Sequence, residues 1–143
     1  MRRRCLGAAA ALLLVAASSA CDASFGPGTG GCRVTVDNPH ESDGTPGDIV
    51  GKGRILCDVA ADNVILYVKL QRQTAARWAD VVSGESPEIG PVEPGRRYTR
   101  QVVATCQEGT FRSAARGEGR LGGQPSGSVT WTYSREVTDP CRR

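Results

Sequence analysis

Val64-Ile65-Leu66-Tyr67-Val68-Lys69-Leu70-Gln71 is the stretch whose reading decides the fold. Val64, Leu66, Val68 and Leu70 alternate strictly with Ile65, Tyr67, Lys69 and Gln71. By propensity alone, Ala60–Gln73 could form a helix. Period two puts the four aliphatic residues on one face, however, and the β-branched content favours an extended chain. A strand is therefore expected, with Ala60-Ala61-Asp62-Asn63 as the turn before it.

The same logic extends outward in both directions. Cys32–Asp37 places Cys32, Val34 and Val36 on one face, and Arg54–Val59 does so with Ile55, Cys57 and Val59. Arg77–Val82 reads as a shorter strand. Tyr98–Cys106 groups Tyr98, Val102, Ala104 and Cys106, with Arg100 as an exception on that face. Thr110–Gly117 groups Phe111, Ser113 and Ala115. Ser128–Ser134 is expected to turn Val129, Trp131 and Tyr133 inward and Thr130, Thr132 and Ser134 outward. Turn clusters at Asp43–Gly47, Ser83–Pro94 and Gly122–Gly127 separate these runs. About seven short strands point to an all-β fold, a small antiparallel β-sandwich that is immunoglobulin-like in the loose sense. A small barrel is the alternative.

The N-terminus reads as an address. Arg2, Arg3 and Arg4 precede an apolar run, Leu6–Ala17, and the small residues Ser18-Ser19-Ala20. The apolar core is shorter than the roughly 20 residues a spanning helix needs, which argues against an uncleaved anchor. Residues 1–20 are read as a lipoprotein-type signal peptide, because Ser18-Ser19-Ala20-Cys21 resembles a bacterial lipobox. Position 18 there is usually aliphatic. Cleavage after Ala20 or Ala23 by an ordinary signal peptidase is the rival. Cys5 leaves with the signal, and lipidation of Cys21 leaves Cys32, Cys57, Cys106 and Cys141, an even set. Cleavage after Ala23 leaves the same four. Residues 21–31 are Gly-rich and expected to form a flexible tether, with the sandwich at 32–143.

Charge offers no partner. The 143-residue chain carries 18 Lys+Arg, 15 Asp+Glu and a formal net charge of +3. Removing the three signal arginines leaves 15 basic against 15 acidic residues, a balanced exported domain. No basic run interleaved with aromatics occurs, so nucleic acid is not an expected partner. The low aromatic content implies a small core, and two disulfides would supplement it.

Four cysteines allow three pairings. The midpoint of 32 and 57 falls in the turn cluster at Gly44-Thr45, and that of 106 and 141 falls within Gly122–Pro125. Two hairpins would then set Cys32 opposite Cys57 and Cys106 opposite Cys141, the preferred arrangement. The rival joins Cys57 to Cys106 across the sheets and Cys32 to Cys141. The residues that accompany an immunoglobulin bridge are missing: Ala104 stands where a Tyr is expected, and Trp78 lies too far past Cys57. Each bridge would contribute ~3–4 kcal/mol through loop closure.

Cys32-Arg-Val-Thr-Val-Asp-Asn-Pro-His-Glu-Ser42, then Cys57, then Cys106-Gln-Glu-Gly-Thr-Phe-Arg112 and a terminal Cys141 resemble a group of small exported actinobacterial proteins. Those proteins share a V-x-x-P-H-x-S segment and a four-cysteine framework. The resemblance covers most of 32–141. It implies the fold and the framework and says nothing about activity.

Catalytic constellations are sparse. His40 is the single histidine, so a Ser-His-Asp or Cys-His site would have to use it. Its expected role is a hydrogen-bonded loop residue that orders the turn; a small hydrolase is the minor reading. The cysteines read as bridges rather than metal ligands, no C-x-x-C pair exists, and no metal or cofactor is expected. Gly117–Gly122 matches G-x-G-x-x-G but is followed by Gly123-Gln-Pro-Ser-Gly rather than by a helix, so a dinucleotide site is not expected. Glu85, Glu88 and Glu93 lie in Ser83–Pro94, which is expected to be a solvated acidic loop and the best recognition surface. Trp78 could anchor a partner, although a place in the core beside Trp131 is the preferred expectation. These readings describe a non-enzymatic, lipid-anchored extracytoplasmic binding or structural module, held to the membrane through Cys21, with recognition at Trp78, Glu85 and Glu88. The ligand would be a protein or a component of the cell envelope. The alternative is a released inhibitor or effector.

Overall fold

The computed structural model describes residues 23–25, 31–127 and 130–141. Their elements, in chain order, are β1 (Ala23–Phe25), β2 (Cys32–Val36), β3 (His40–Glu41), β4 (Asp48–Cys57), β5 (Asn63–Gln73), β6 (Trp78–Glu85), β7 (Arg97–Thr105), β8 (Thr110–Leu121), β9 (Gln124–Gly127), β10 (Thr132–Tyr133) and β11 (Val137–Thr138). The described residues contain no helix. Two antiparallel sheets stack face to face. In the first, β1 pairs with β2, β2 and β3 share one side of β4, and β7 takes the other. In the second, β6, β5 and β8 lie side by side, and β9, β10 and β11 follow one another along the far edge of β8. The β-sandwich is thus the architecture, closed between the sheets by β4 over β5 and β8 and by β7 over β5 and β6.

β5 behaves as its alternation requires. Val64, Leu66, Val68 and Leu70 are fully buried and meet Val34, Ile55, Cys32 and Cys57 of the facing sheet. Phe111 and Ala115 of β8 and Val102 of β7 complete the core. The sheets approach closely at Gly53, where an added Cβ would lie 2.8 Å from both Ala115 Cβ and Val68 Cγ2. A hydrogen-sized residue is therefore required there. Beside it, the hydroxyl of fully buried Ser113 has no hydrogen-bond partner among the described residues.

Both bridges follow the hairpin symmetry. Cys32 directly opposes Cys57 across β2 and β4, and the two are disulfide-bonded with Cα atoms 3.9 Å apart. Cys106, just after β7, bonds Cys141, just after β11, and so ties the end of the first sheet to the return arm of the second. That arm folds back at Gly122-Gly123, both with positive φ (59° and 77°), in a two-residue hairpin turn that glycine permits. The expected turn cluster 122–127 is therefore mostly strand, since Gln124–Gly127 pairs with β8.

Three expectations need correction. Val59 lies beyond the end of β4 and is 37% exposed, because the chain leaves the sheet at Cys57. In the Ser128–Ser134 run, the described part has the opposite phase: Thr132 is buried (6% exposed) and Tyr133 points outward at 36%. Thr132 opposes core-facing Ala115, and Tyr133 opposes Ala114. With Ala115 pressed against Gly53, the inner side of this edge takes a small residue and excludes a large ring. Ser128 and Val129 lie outside the described residues. Third, Ser83–Pro94 is not a free loop. Ser83–Glu85 belong to β6, Ser86 exchanges hydrogen bonds with the Leu66 backbone, and Ile89 and Val92 bridge to Val64 and Ala61 of the second sheet's core edge. Val92 is fully buried.

Within the span 21–31, Ala23–Phe25 form β1, antiparallel to β2, and Cys21 lies outside the described residues. Gly53→Ala should lower the thermal midpoint by several degrees, since overpacking a tight core costs ~1–3 kcal/mol. Ser113→Ala, which removes a buried hydroxyl without a partner, should keep or raise it. Circular dichroism melts under oxidising conditions test both. An unchanged midpoint for Gly53→Ala would mean that the sheets separate there without cost.

Candidate functional site

Because β5 turns its aliphatic residues inward, Tyr67, Lys69 and Gln71 necessarily project from the outer face of the second sheet. On β8, Phe111, Ser113 and Ala115 point inward, so Arg112, Ala114 and Arg116 project outward. The register sets Gln71 beside Arg112, Lys69 beside Ala114 and Tyr67 beside Arg116. Trp78 and Asp80 arrive from β6, and Trp131 and Tyr133 from the return arm. Four stretches of chain thus assemble a single strip of alternating rings and cations.

The stacking is close. The Arg112 guanidinium lies 4.3 Å from the Trp78 ring centroid and 4.0 Å from that of Tyr133. Arg116 lies 4.1 Å from Tyr67 and 5.4 Å from Trp131, whose ring also carries Lys69 Nζ at 4.3 Å. Each such contact contributes about 0.5–1 kcal/mol at an exposed site. A polar layer runs beneath the rings. Arg112 Nε donates to Gln71 Oε1 at 2.9 Å, and Gln71 Nε2 donates to Asp80 Oδ1 at 2.7 Å. Gln71, though on the outer face, is only 6% exposed because this layer covers it. Lys69 pairs with Asp80 at 3.4 Å and Arg116 with Glu118 at 3.0 Å. Arg112 differs: no carboxylate among the described residues lies within ion-pair distance of it. Two rings shield this cation from water, and a neutral amide is its described hydrogen-bond partner.

At one end, the strip runs into a groove of about 470 Å³ between β5, β8 and β9, lined by Ile65, Glu118, Arg120, Pro125 and Ser126 among others. Glu118 belongs to both. It accepts a hydrogen bond from the Tyr67 hydroxyl at 2.5 Å. That bond, aided by Arg116, holds the Glu118 carboxyl below its usual range, while burial works against it. The same bond, with desolvation, raises the Tyr67 phenol above its usual value.

The chain matches no protein-family model, no curated protein and no solved structure. The site therefore has to be interpreted from its own chemistry.

Of the residues expected to carry recognition, Trp78 lies on this strip, half-buried against Arg112 rather than in the core. The strip offers the ring an outer surface already lined with cations, and the thin core offers none. Glu85 ends β6, opposite Tyr67, and is exposed. Glu88 accepts a hydrogen bond from Asn63, and Glu93 pairs with Arg96 at 3.3 Å, so these two acidic residues of 83–94 are held by separate partners. His40 donates from Nδ1 to the Asn38 carbonyl at 3.0 Å, the geometry of a turn-ordering residue. Gly117 and Gly119 lie inside β8, where a Cβ on Gly119 would come within 2.1 Å of the Asn63 carbonyl. Their spacing therefore serves strand packing. Tyr67, Lys69, Arg112, Arg116 and Tyr133 were not singled out from sequence. The outward parity of Tyr67 and Lys69 on β5 and of Arg112 and Arg116 on β8 is readable, that of Tyr133 on β10 is not, and the convergence of all five depends on the register of the strands.

The pH behaviour of the strip follows from the two shifted groups. The stabilisation carried by Glu118 is present above the ordinary carboxylate range and is lost as pH falls through its lowered pKa. That carried by Tyr67 is present below the ordinary phenol value and is lost as pH rises through the raised one. Tyr67→Phe should return the Glu118 carboxyl toward its usual range, read from its carbon chemical shift during an acid titration. An unmoved Glu118 titration would exclude the hydrogen bond as its cause.

Proposed function

We propose that this chain is an exported, non-enzymatic binding module, held at the outer face of the cytoplasmic membrane by lipid on Cys21, whose ligand surface is the ring-and-cation strip of the second sheet. The two disulfides fit an oxidising compartment outside the cytoplasm. The observation that carries the binding reading is Arg112, stacked between Trp78 and Tyr133 with no carboxylate partner among the described residues. A cation that is partly desolvated and lacks a carboxylate gains most from an external anion, because charge-assisted hydrogen bonds strengthen as water is excluded. The ligand is therefore an anionic component of the cell envelope, with one acidic group on Arg112 and the remainder lying over the rings toward the Glu118 groove. Nucleic acid fits less well, since Asp80 and Glu118 already neutralise Lys69 and Arg116.

Two measurements test the reading. Mass spectrometry of the mature N-terminus should find a diacylglyceryl-modified Cys21; an unmodified end at Cys21 or Ser24 would sink the anchoring. For binding, retention on immobilised polygalacturonate, a carboxylated polysaccharide, is compared with retention on neutral dextran. Arg112→Gln should weaken retention on the acidic polymer roughly tenfold, the loss expected for one charged hydrogen-bonding group. Equal retention of parent and variant, or equal retention on dextran, would overturn the assignment of this surface.

A further inference from the structure

The opposite side of the sandwich carries a second cationic surface. On the outer face of the first sheet, β2 projects Arg33 and Thr35, β4 projects Lys52, Arg54 and Leu56, and β7 contributes Arg97. The register aligns Arg33, Leu56 and Arg97 in one row across the three strands, with Thr35 and Arg54 in the next. Rows of this kind are spaced by the strand repeat, so three guanidinium groups surround one apolar floor, Leu56. The space between them is an open groove of about 370 Å³, whose lining also includes Asp37.

The charge on this face is not cancelled. Arg54 pairs with Asp37, and Arg33 with Asp58 at 3.6 Å, a separated and half-exposed pair. Arg97 and Lys52 have no ion-pair partner among the described residues. Four cations thus share this face with three carboxylates, Asp37, Asp58 and, at the far end of β4, Asp48, within an exported chain that is neutral as a whole once the signal arginines are removed. The imbalance is local. It lines the open groove over Leu56, which admits an anionic head group.

The chain path adds a second, independent observation. β1 starts at Ala23, two residues after Cys21, and its Ala23 lies opposite Val34 of β2, between Arg33 and Thr35. β1, the described segment nearest that position in the sequence, therefore lies along the same side of the first sheet as the groove.

We propose that the outer face of the first sheet rests on the anionic phospholipid surface, with the groove of Arg33, Arg54 and Arg97 taking the phosphate of a lipid head group and Leu56 contacting its glycerol end. This rests on the membrane-held reading and does not require the acyl group on Cys21. In this orientation the ring-and-cation strip, on the other sheet, faces away from the membrane toward the envelope.

The test uses the full chain carrying Cys21→Ser, so that no acyl group contributes. Its partition is measured onto vesicles of phosphatidylcholine alone and of phosphatidylcholine mixed with phosphatidylglycerol. The uncleaved signal segment, with Arg2, Arg3 and Arg4, contributes equally to every variant, so the decision is read as the difference between variant and parent on the anionic vesicles, and no difference would overturn the proposal. The parent should favour the anionic vesicles, with a preference that falls as salt rises. Arg33→Gln/Arg54→Gln/Arg97→Gln should lose that preference roughly tenfold, and the control Arg77→Gln/Arg135→Gln should retain it. Should the triple variant not fold, protection of the peptides holding Arg33, Arg54 and Arg97 from phenylglyoxal in the parent, by anionic but not neutral vesicles, carries the same decision. Equal partition onto both vesicle types, or absence of protection, would overturn the proposal. Displacement from vesicles by inorganic phosphate at low concentration would overturn the lipid source in favour of a free phosphate group. The mass of the mature N-terminus reports on the anchor separately, so failure of one reading is distinguishable from failure of the other.

Discussion

The thinness of the core governs the rest of the molecule. At Gly53, Ala115 and Val68, the two sheets leave no room for an additional methyl group. A sandwich closed this tightly is filled by valine, leucine, isoleucine and alanine, with Phe111 the largest of its fully buried side chains. Such a core removes less apolar surface from water than one built around tryptophan, which is the physical reason why two covalent bridges accompany it. The same constraint expels the large rings. Trp78, Trp131, Tyr67 and Tyr133 are turned outward, where the only available covering is the alkyl and guanidinium portion of long basic side chains. The strip on the second sheet is thus the complement of a small core. One restriction thus shapes both the core and the outer face of the second sheet.

How far the residues reveal this in advance depends on how local the information is. The alternation of Val64–Leu70 is confined to one strand and has only one sensible phase, so its inward face could be read directly. The pairing of Cys32 with Cys57 required only that β2 and β4 form a hairpin centred on a Gly-rich turn, and the direct opposition of the two residues follows. Cys106 and Cys141 obey the same symmetry despite the breaks between β9, β10 and β11, because those segments remain successive pieces of one arm paired to β8.

The inverted phase at Thr132 and Tyr133 shows where local reading fails. Both phases of Trp131-Thr132-Tyr133 consist of good strand formers, so periodicity cannot choose between them. Hydrophobicity chooses the rings, whereas the space opposite Ala115 chooses the threonine. That space is set by Gly53, on the other sheet and far away in the chain. The segment 83–94 failed for a related reason: its prolines and glycines read as a loop, but Ile89 and Val92 find backbone partners along the edge of the second sheet. The ring-and-cation strip needed both pieces of missing information, the phase of the return arm and the register of β5 with β8.

The pinned segment and the broken return arm also bear on how copies of this chain would behave beside one another. Strand addition between molecules needs a long, straight edge with its amide groups unoccupied. Along β8, the outermost partners are three short segments, and β9 contains Pro125, which lacks an N–H to offer. On the other side, part of the edge of β5 beyond β6 is already occupied by Ile89. The β8 side of the second sheet therefore presents no continuous template for a neighbour's strand, whereas β6 (Trp78–Glu85) pairs only with β5 among the described residues and leaves its outer edge open. The interrupted return arm therefore closes one side of the sandwich to strand addition, and a neighbouring copy would find its template at β6 instead.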